Sequence, residues 1–223
     1  MTTPRCGLLF HFTHVDNLPE VLNAGALLSD TLVCARGLLS TEAGDREIKQ
    51  RRREQPVTCP PAGVVADYVP FYFAARSPMM FKLFKGSVPT FTGDHRDLVY
   101  LMSDVERMVA AEVAYAISDR NAAKALAEFS NDVAVLGDLA AATPRSDFVD
   151  WPLMRAQMWN NTPSDGERLE RRMAEFLVHE NVPLDLLVAV AVRSEAHKAI
   201  VERLFDLARA STRVVVRSDW YYS

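Results

Sequence analysis

Short apolar runs, most of them rich in β-branched or aromatic residues, recur along the chain at the length of single strands. Such runs predict β-strands at residues 8–12, 68–73, 98–102, 112–117, 172–179, 186–193 and 213–217. Pro70 lacks the N–H that a central strand donates, so the second of these is predicted to be an edge strand or to contain a bulge. The runs at 172–179 and 186–193 are joined by a Pro-containing turn and are predicted to pair.

Helical periodicity and capping residues predict the intervening segments. Asp16 or Asn17 can cap a helix that stops at Gly25, and Ser77 followed by Pro78 is typical of a helix start. Further helices are predicted for a short segment from Ser103, for the basic centre of residues 28–61, and for 121–129, 152–159 and 195–210.

The order of these elements indicates the fold class. Strands and helices are mixed without the regular alternation of a parallel βαβ protein, and no glycine-rich nucleotide-binding signature or internal repeat is present. An α+β domain with an antiparallel-rich sheet is therefore predicted. The chain has 223 residues, of which 49% are hydrophobic, so one domain spanning residues 1–223 is expected.

Composition and charge narrow the expected environment. The longest apolar run, Leu186 to Val192, is too short to cross a membrane, and no export leader is expected. The cysteines Cys6, Cys34 and Cys59 suggest neither a disulfide framework nor a zinc site, which favours a cytoplasmic protein. The net charge of −4 argues against a uniformly basic surface, so any nucleic-acid contact is expected to be local.

Glu175 is a candidate catalytic residue because of where it lies in its predicted strand. The two-residue period of a strand places Glu175 on the same face as Met173 and Leu177. A carboxylate among apolar side chains must be paired, hydrogen-bonded or open to a cleft, whereas a solvent-facing residue on a half-buried strand is the alternative. His11 and His14 lie on opposite faces of the first strand and have no third ligand nearby, so no metal site is expected.

Basic and aromatic residues provide candidate contacts for anions and bases. The segment 46–53 contains five basic residues and one acid, and 168–172 contains three arginines. A guanidinium can hold a phosphate in two hydrogen bonds, although such runs are also typical of a solvated helical face. Trp159, Asn160 and Asn161 lie at a predicted loop, where aromatic and amide side chains suit base stacking and base-edge hydrogen bonding.

Five stretches, running in order from near the N-terminus to the end, together resemble the DarT family of DNA ADP-ribosyltransferase toxins. They are HFTHVDNL at 11–18, DYVPFYF at 67–73, RSPM at 76–79, RMAEFLV at 172–178 and DWYY at 219–222. The resemblance implies an ADP-ribosyltransferase fold, with a split antiparallel β core and peripheral helices. It also implies NAD as a substrate, no metal, single-stranded DNA as the acceptor and a macrodomain antitoxin (DarG-like) as a partner.

The resemblance also implies roles for particular residues. Glu175 matches the catalytic glutamate and Arg52 the catalytic arginine, with Arg51 one register step away. The residues implied to bind NAD are His11, Thr13, Asn17, Tyr68, Tyr72 and Arg51. Tyr68 and Tyr72 resemble an aromatic element under the nicotinamide, although such residues are more often part of a core. The residues expected to contact the DNA acceptor are Trp159, Asn160, Asn161 and Arg172.

The implied reaction transfers ADP-ribose to a base of single-stranded DNA, and thymine is the expected acceptor. Glu175 would stabilise the oxocarbenium-like ribose left by nicotinamide. Family analogy gives Arg52 a role in deprotonating the base, but arginine is a poor base, so stabilising the anionic base or binding phosphate are alternatives. A guanine, RNA or protein acceptor also stays open, as does a non-catalytic nucleic-acid-binding module. The joint presence of Glu175, His11 and Arg52 argues against such a module.

Overall fold

The computed structural model describes residues 7–38, 41, 46–141 and 145–223, and Cys6 lies outside them. The strands of the described ranges are β1 (Leu8–His14), β2 (Ala26–Leu28), β3 (Tyr68–Tyr72), β4 (Leu98–Asp104), β5 (Tyr115–Ser118), β6 (Phe129–Ser130), β7 (Glu175–His179), β8 (Asn181–Pro183), β9 (Ala189–Val192) and β10 (Val214–Val216). The α-helices of the same ranges are α1 (Leu18–Ala24), α2 (Asp30–Ala35), α3 (Arg46–Glu54), α4 (Pro78–Phe84), α5 (Val105–Ala110), α6 (Trp151–Arg155), α7 (Arg168–Arg171) and α8 (Glu195–Leu207). Short 3-10 helices lie at Val15–Asn17, Val65–Asp67, His95–Asp97, Val133–Leu136, Leu184–Leu186 and Ser218–Trp220.

One large sheet organises the described residues. Its strand order is β10-β9-β4-β1-β3-β7-β5-β6, and a separate pair is formed by β2 and β8. Neighbouring strands are antiparallel except for β10 and β9, which are parallel. The predicted antiparallel-rich α+β architecture is therefore confirmed.

Both faces of the sheet are covered by apolar side chains. In β4, Val99 and Leu101 belong to one buried cluster, whereas Leu98, Tyr100 and Met102 belong to a second cluster. Alternate residues of a strand point to opposite faces, so β4 is buried on both sides. This burial makes β4 and its neighbour β1 a rigid base for the side chains that β1 directs toward the functional cleft.

Pro70 does not place β3 at an edge, so the edge-strand alternative was wrong. β3 lies inside the sheet and pairs with β7 from Tyr68 to Tyr72, but its only registered pair with β1 is Phe10 with Tyr72. On the β1 side, the His11 ring donates from Nδ1 to the Pro70 carbonyl at 2.8 Å. Proline is tolerated here because the β1–β3 ladder does not continue past Tyr72, and the sheet is split at this point.

The predicted pairing of residues 172–179 with 186–193 was also wrong. The strands β7 and β9 form within these segments, but β3, β1 and β4 lie between them in the sheet. The intervening β8 pairs with β2 outside the main sheet, which carries the chain away from β7 before β9 begins. The Pro-containing connection is therefore not a hairpin turn.

The Ala-rich segment 121–129 is not a helix, contrary to the prediction. It consists of successive turns, closed by hydrogen bonds from Lys124 N–H to the Asn121 carbonyl and from Ala127 N–H to the Lys124 carbonyl. The N–H of Ala122 donates to Glu175 Oε1 and that of Ala123 to Asn121 Oδ1. Helix propensity is a weak preference, and side-chain acceptors have taken these N–H groups.

Most other predicted elements are confirmed with small changes of boundary. α1 ends at Gly25, whose φ of 67° suits glycine, and α4 begins after the Ser77 cap with Pro78 in its first turn. A helix does form in the basic segment, as α3, whereas α2 and β2 were not predicted. α6 is shorter than the predicted 152–159. None of the described helices is long and apolar enough to cross a membrane.

Candidate active site

Glu175 forms a buried ion pair with Arg52. Its carboxylate is 1% exposed and lies 2.9 and 3.1 Å from Arg52 Nη1, through Oε2 and Oε1. Glu175 is the first residue of β7, and Arg52 is in the last turn of α3. Removing one partner of a buried pair typically costs about 3–5 kcal/mol, because the other charge stays buried. The sequence-based expectation that Glu175 needs a partner is met by Arg52.

Two further hydrogen bonds fix the position of Glu175. Its Oε1 accepts from the Ala122 N–H at 3.0 Å, and its own N–H donates to Ser118 Oγ at 3.1 Å. The Ser118 hydroxyl in turn donates to the Arg120 carbonyl at 2.7 Å. The carboxylate is therefore held by a guanidinium on one side and by a backbone amide on the other, which leaves it one orientation.

A cleft next to this pair is lined by most of the residues assigned to NAD. The lining residues from that set are His11, Thr13, Asn17, Tyr68 and Tyr72, and Arg52, which was assigned to catalysis, also lines the cleft. Tyr72 faces Glu175 across the β3–β7 ladder and stacks on Phe12 with an angle of 19° between the rings. Tyr68 is 1% exposed, and its hydroxyl donates to the Ala62 carbonyl, so most of this side chain belongs to the core.

Asn17 organises one wall of the cleft. Its Nδ2 donates to Thr13 Oγ1 at 2.9 Å and to the Thr41 carbonyl at 3.0 Å, while its Oδ1 accepts from the Thr41 N–H at 2.6 Å. The amide thus binds both backbone groups of Thr41 and joins that residue to β1. Asn17 precedes α1 but makes no side-chain cap, so its side chain serves the cleft wall and not the helix end.

Burial sets the protonation of the ring residues in the cleft. Burial lowers the pKa of His11 from 6.5 to about 4, an effect that the hydrogen bond to Pro70 opposes and the nearby Arg52 reinforces. His11 is therefore neutral at pH 7. Because the Pro70 carbonyl can only accept, Nδ1 carries the proton and Nε2 is left as an acceptor. Burial, aided by Glu175, raises the pKa of Tyr72, which stays a phenol.

The structure distinguishes Arg52 from Arg51. Arg51 is exposed, forms an ion pair with Glu47 one turn earlier in α3, and is not part of the cleft lining. Arg52 is one residue further, about 100° around the helix, and points toward Glu175. Arg51 therefore does not contact the cleft, in contrast to its predicted role in NAD binding.

The loop before β7 holds the predicted acceptor residues in different environments. Trp159 is 7% exposed and packs edge-on against Phe81, so it offers no open face for stacking, contrary to the prediction. Asn161 Oδ1 accepts from the Leu169 N–H at 2.8 Å and stabilises the loop. Asn160 is exposed and keeps its side chain at the surface.

Arg172 is a buried residue whose donors are directed to backbone carbonyls, which argues against its predicted contact with DNA. It is 4% exposed and donates to the carbonyls of Leu153, Ala156 and Arg76. Two of these carbonyls, of Leu153 within α6 and of Ala156 just after it, join Arg172 to the C-terminal part of that helix. Burial lowers the pKa of Arg172 to about 10, so the side chain remains charged at pH 7.

Several contributors to the site were not identified from the sequence. Ala122 acts through its backbone and Ser118 through an anchoring hydroxyl, so neither residue type carried a signal. Asn121, Asp30 and Lys49 also line the cleft. In the described part of the chain, no group of three or more His, Cys, Asp or Glu side chains is arranged to hold a metal ion.

Comparison with known proteins places the chain in a family. The DNA ADP-ribosyl transferase of Mycobacterium tuberculosis is 34% identical over 222 residues, covering 98% of this chain and 90% of the relative. That of Thermus sp. (strain 2.9) is 32% identical over 224 residues, covering 99% of each. The family model described as "ssDNA thymidine ADP-ribosyltransferase, DarT" matches residues 10–222. The chain belongs to the DarT family.

Solved structures agree with this assignment. Thermus sp. 2.9 DarT in complex with ADP-ribosylated ssDNA superposes with a TM-score of 0.85 at 30% identity, covering 100% of this chain and 99% of the other. The same protein in complex with NAD+ gives a TM-score of 0.81 at 29% identity, with coverage of 99% and 100%. Thermosipho africanus DarTG in complex with ADP-ribose, at 16% identity and a TM-score of 0.74, shares the fold and is covered over 51% of its length.

The lowered pKa of His11 predicts a pH dependence of stability. Unfolded His11 titrates near pH 6.5 and folded His11 near 4, so the unfolded state binds more protons between these values. The contribution of neutral His11 to the free energy of unfolding is therefore complete above pH 6.5 and is lost as the pH falls toward 4. In His11→Asn, whose amide keeps a donor for Pro70, the free energy of unfolding should fall less over this range. Chemical denaturation measures the free energy of unfolding at each pH, and an equal fall in both proteins between pH 6.5 and 4 would contradict this prediction.

Replacement of Arg172 should reduce stability without a direct effect on DNA contacts. Arg172→Met leaves three carbonyls without their donors, which should lower the free energy of unfolding by on the order of 3 kcal/mol. Arg168→Met is the matched control: Arg168 also donates to two carbonyls, of Asn160 and Met158, but in an exposed setting, and its loss should cost under about 1 kcal/mol. Denaturant titration measures both values, and equal losses would refute the structural role.

Proposed function

We propose that this protein transfers ADP-ribose from NAD to a thymine base in single-stranded DNA and releases nicotinamide. The observation that carries this proposal is the buried Arg52–Glu175 pair beside a cleft lined by His11, Thr13, Asn17 and Tyr72. The complexes of Thermus sp. 2.9 DarT with NAD+ and with ADP-ribosylated ssDNA support the same two substrates here.

Glu175 acts on the ribose from which nicotinamide leaves. The bond between the nicotinamide nitrogen and the ribose carbon breaks, nicotinamide takes the electron pair, and positive charge develops on the ribose. A carboxylate held in one orientation stabilises that charge without reorganising during the reaction. The contacts of Glu175 with Arg52 and Ala122 supply the fixed orientation. The acceptor base then bonds to the ribose carbon through a ring nitrogen, which gives up its proton to solvent.

Arg52 stabilises negative charge at the acceptor. Its Nη1 is occupied by Glu175, but among the described residues its Nη2 is buried and has no hydrogen-bond partner. An unsatisfied buried donor costs about 1–3 kcal/mol, and a substrate oxygen or an anionic base would remove that cost. A charged guanidinium has donors and no acceptor, so it suits holding the deprotonated base better than removing the proton.

His11 and the exposed loop residues complete the assignment. Neutral His11 keeps Nε2 as an acceptor, the group that a ribose hydroxyl needs, while Nδ1 stays on Pro70. On the loop before β7, Asn160 is exposed and Met158 is 70% exposed, and we assign these residues to contact with the DNA acceptor. Contacts through uncharged side chains suit a chain with a net charge of −4.

The decisive experiment is intact mass spectrometry of single-stranded oligonucleotides incubated with NAD and the purified protein. Thymine-containing oligonucleotides should gain one ADP-ribosyl group, and oligonucleotides without thymine should not. Glu175→Gln keeps the size of the side chain but removes the charge, and should lower the rate by at least about 100-fold, as expected for the loss of a charge-stabilising group.

Glu180→Gln provides the matched control, since Glu180 is an exposed glutamate just after the same strand. This variant should retain wild-type activity. A product formed on thymine-free DNA, on RNA or on protein would contradict thymine as the acceptor. Full activity of Glu175→Gln would contradict the catalytic role of Glu175.

We further propose that residues 1–223 act as one cytoplasmic transferase domain, neutralised by a macrodomain antitoxin as the family resemblance implies. Strands from both ends of the chain contribute to one sheet, which supports a single unit. Expression without a macrodomain protein should arrest bacterial growth, and co-expression of a DarG-like macrodomain should restore it. The Glu175→Gln variant is the control and should permit growth in both cases. Normal growth with active wild-type protein would contradict the proposal.

A further inference from the structure

The helix that carries Arg52 has few apolar contacts of its own. α3 contains no buried residue, and Ile48 is its single apolar side chain. Its C-terminal end is fixed, because Val65 N–H donates to the Gln55 carbonyl at 2.9 Å and Pro56 bridges to Val64. Ile48 packs against the cluster that contains Phe10 and Tyr100, and elsewhere along its length α3 makes polar contacts, among them the pair of Arg52 with Glu175.

Asp30 supplies such contacts on two successive turns of α3. Its Oδ1 lies 2.8 Å from Lys49 Nζ, and its Oδ2 accepts from Arg53 Nε and Nη2, each at 2.8 Å. Lys49 and Arg53 are four residues apart and therefore share one face of the helix. Burial alone would raise the pKa of Asp30, but the two cations outweigh it and lower the pKa, so the carboxylate is charged.

Asp30 is itself held firmly by α2. The Ser29 N–H donates to the Glu180 carbonyl at 2.8 Å, next to the end of β7, and the Ser29 hydroxyl caps α2. Thr31 Oγ1 donates to Asp67 Oδ1 at 2.7 Å, just before β3. α2 is thereby attached to the ends of the two strands that flank the site. Through its ion pairs with Lys49 and Arg53, Asp30 connects α3 to the same two strands.

We propose that Asp30 is a positioning residue for the transfer reaction: by binding Lys49 and Arg53, it locates α3 so that the Arg52 guanidinium meets the Glu175 carboxylate. The assignment rests on the proposed function. Asp30 also neutralises Lys49 and Arg53, which lie within one turn of Arg52 on α3, and so limits the repulsion between these two cations and Arg52.

The test compares Asp30→Asn with wild-type protein in steady-state transfer to thymine-containing single-stranded DNA. A displacement of about 1 Å at a reacting group costs on the order of 100-fold in rate, so kcat should fall by about 10- to 100-fold. The dissociation constant for NAD, measured by calorimetry, should change by less than about threefold, because a positioning defect acts mainly on the reaction step.

Glu47→Gln is the matched control on the same helix. Glu47 forms an exposed ion pair with Arg51, four residues along α3, and its replacement should leave kcat and NAD binding at wild-type values. The melting temperature of each variant verifies that it is folded.

Arg53→Gln keeps the test valid if Asp30→Asn is unstable, because the Arg53 side chain is 44% exposed and its truncation leaves the core intact. This variant should also lower kcat. The double variant with Asp30→Asn should be no slower than Asp30→Asn alone, because residues acting through one contact are non-additive.

Three outcomes would overturn the assignment. Unchanged kcat in folded Asp30→Asn, with an active wild type, would reject Asp30 and leave the proposed function intact. Weakened NAD binding at unchanged kcat would show that Asp30 contacts the ligand instead. Wild-type protein that modifies no DNA would reject the proposed function and, with it, the role of Asp30.

Discussion

The placement of a negative charge inside an otherwise apolar strand end is the constraint on which the site depends. Glu175 is tolerated there because Arg52, 123 residues earlier in the chain, neutralises it and a backbone amide completes its hydrogen bonding. The long connection between β2 and β3 must therefore return a helix to β7. The stability of this region and its chemistry rely on the same contact, so each limits how the other can change.

The split of the sheet gives this ion pair access to a substrate. A continuous β1–β3 ladder would close the space that His11 and Tyr72 border, whereas the pairing that ends at Tyr72 leaves it open. Pro70 suits this position because it cannot donate to a neighbouring strand, and its carbonyl instead fixes the imidazole of His11. A feature that weakens a sheet locally thus orients a side chain of the cleft.

Sequence patterns predicted most of the strands and helices and singled out Glu175. They did not predict the contacts between residues that are distant in sequence. An apolar strand containing Glu175 was enough to predict that the carboxylate needs a partner, whereas the choice between Arg51 and Arg52 depended on the orientation of α3. The buried position of Arg172 was not predicted, because the carbonyls that accept from it belong to α6 and to Arg76, which a linear pattern does not bring together. Asp30 gave no signal for the same reason.

The turns at residues 121–128 have a consequence for protein engineering. This segment is rich in alanine and resembles a helix, so routine stabilisation by raising helix propensity would select it as a target. A helix formed there would take the Ala122 N–H into its own backbone ladder and withdraw it from Glu175. A thermally hardened version of this enzyme could then be a weaker catalyst, with every side chain of the cleft left unaltered.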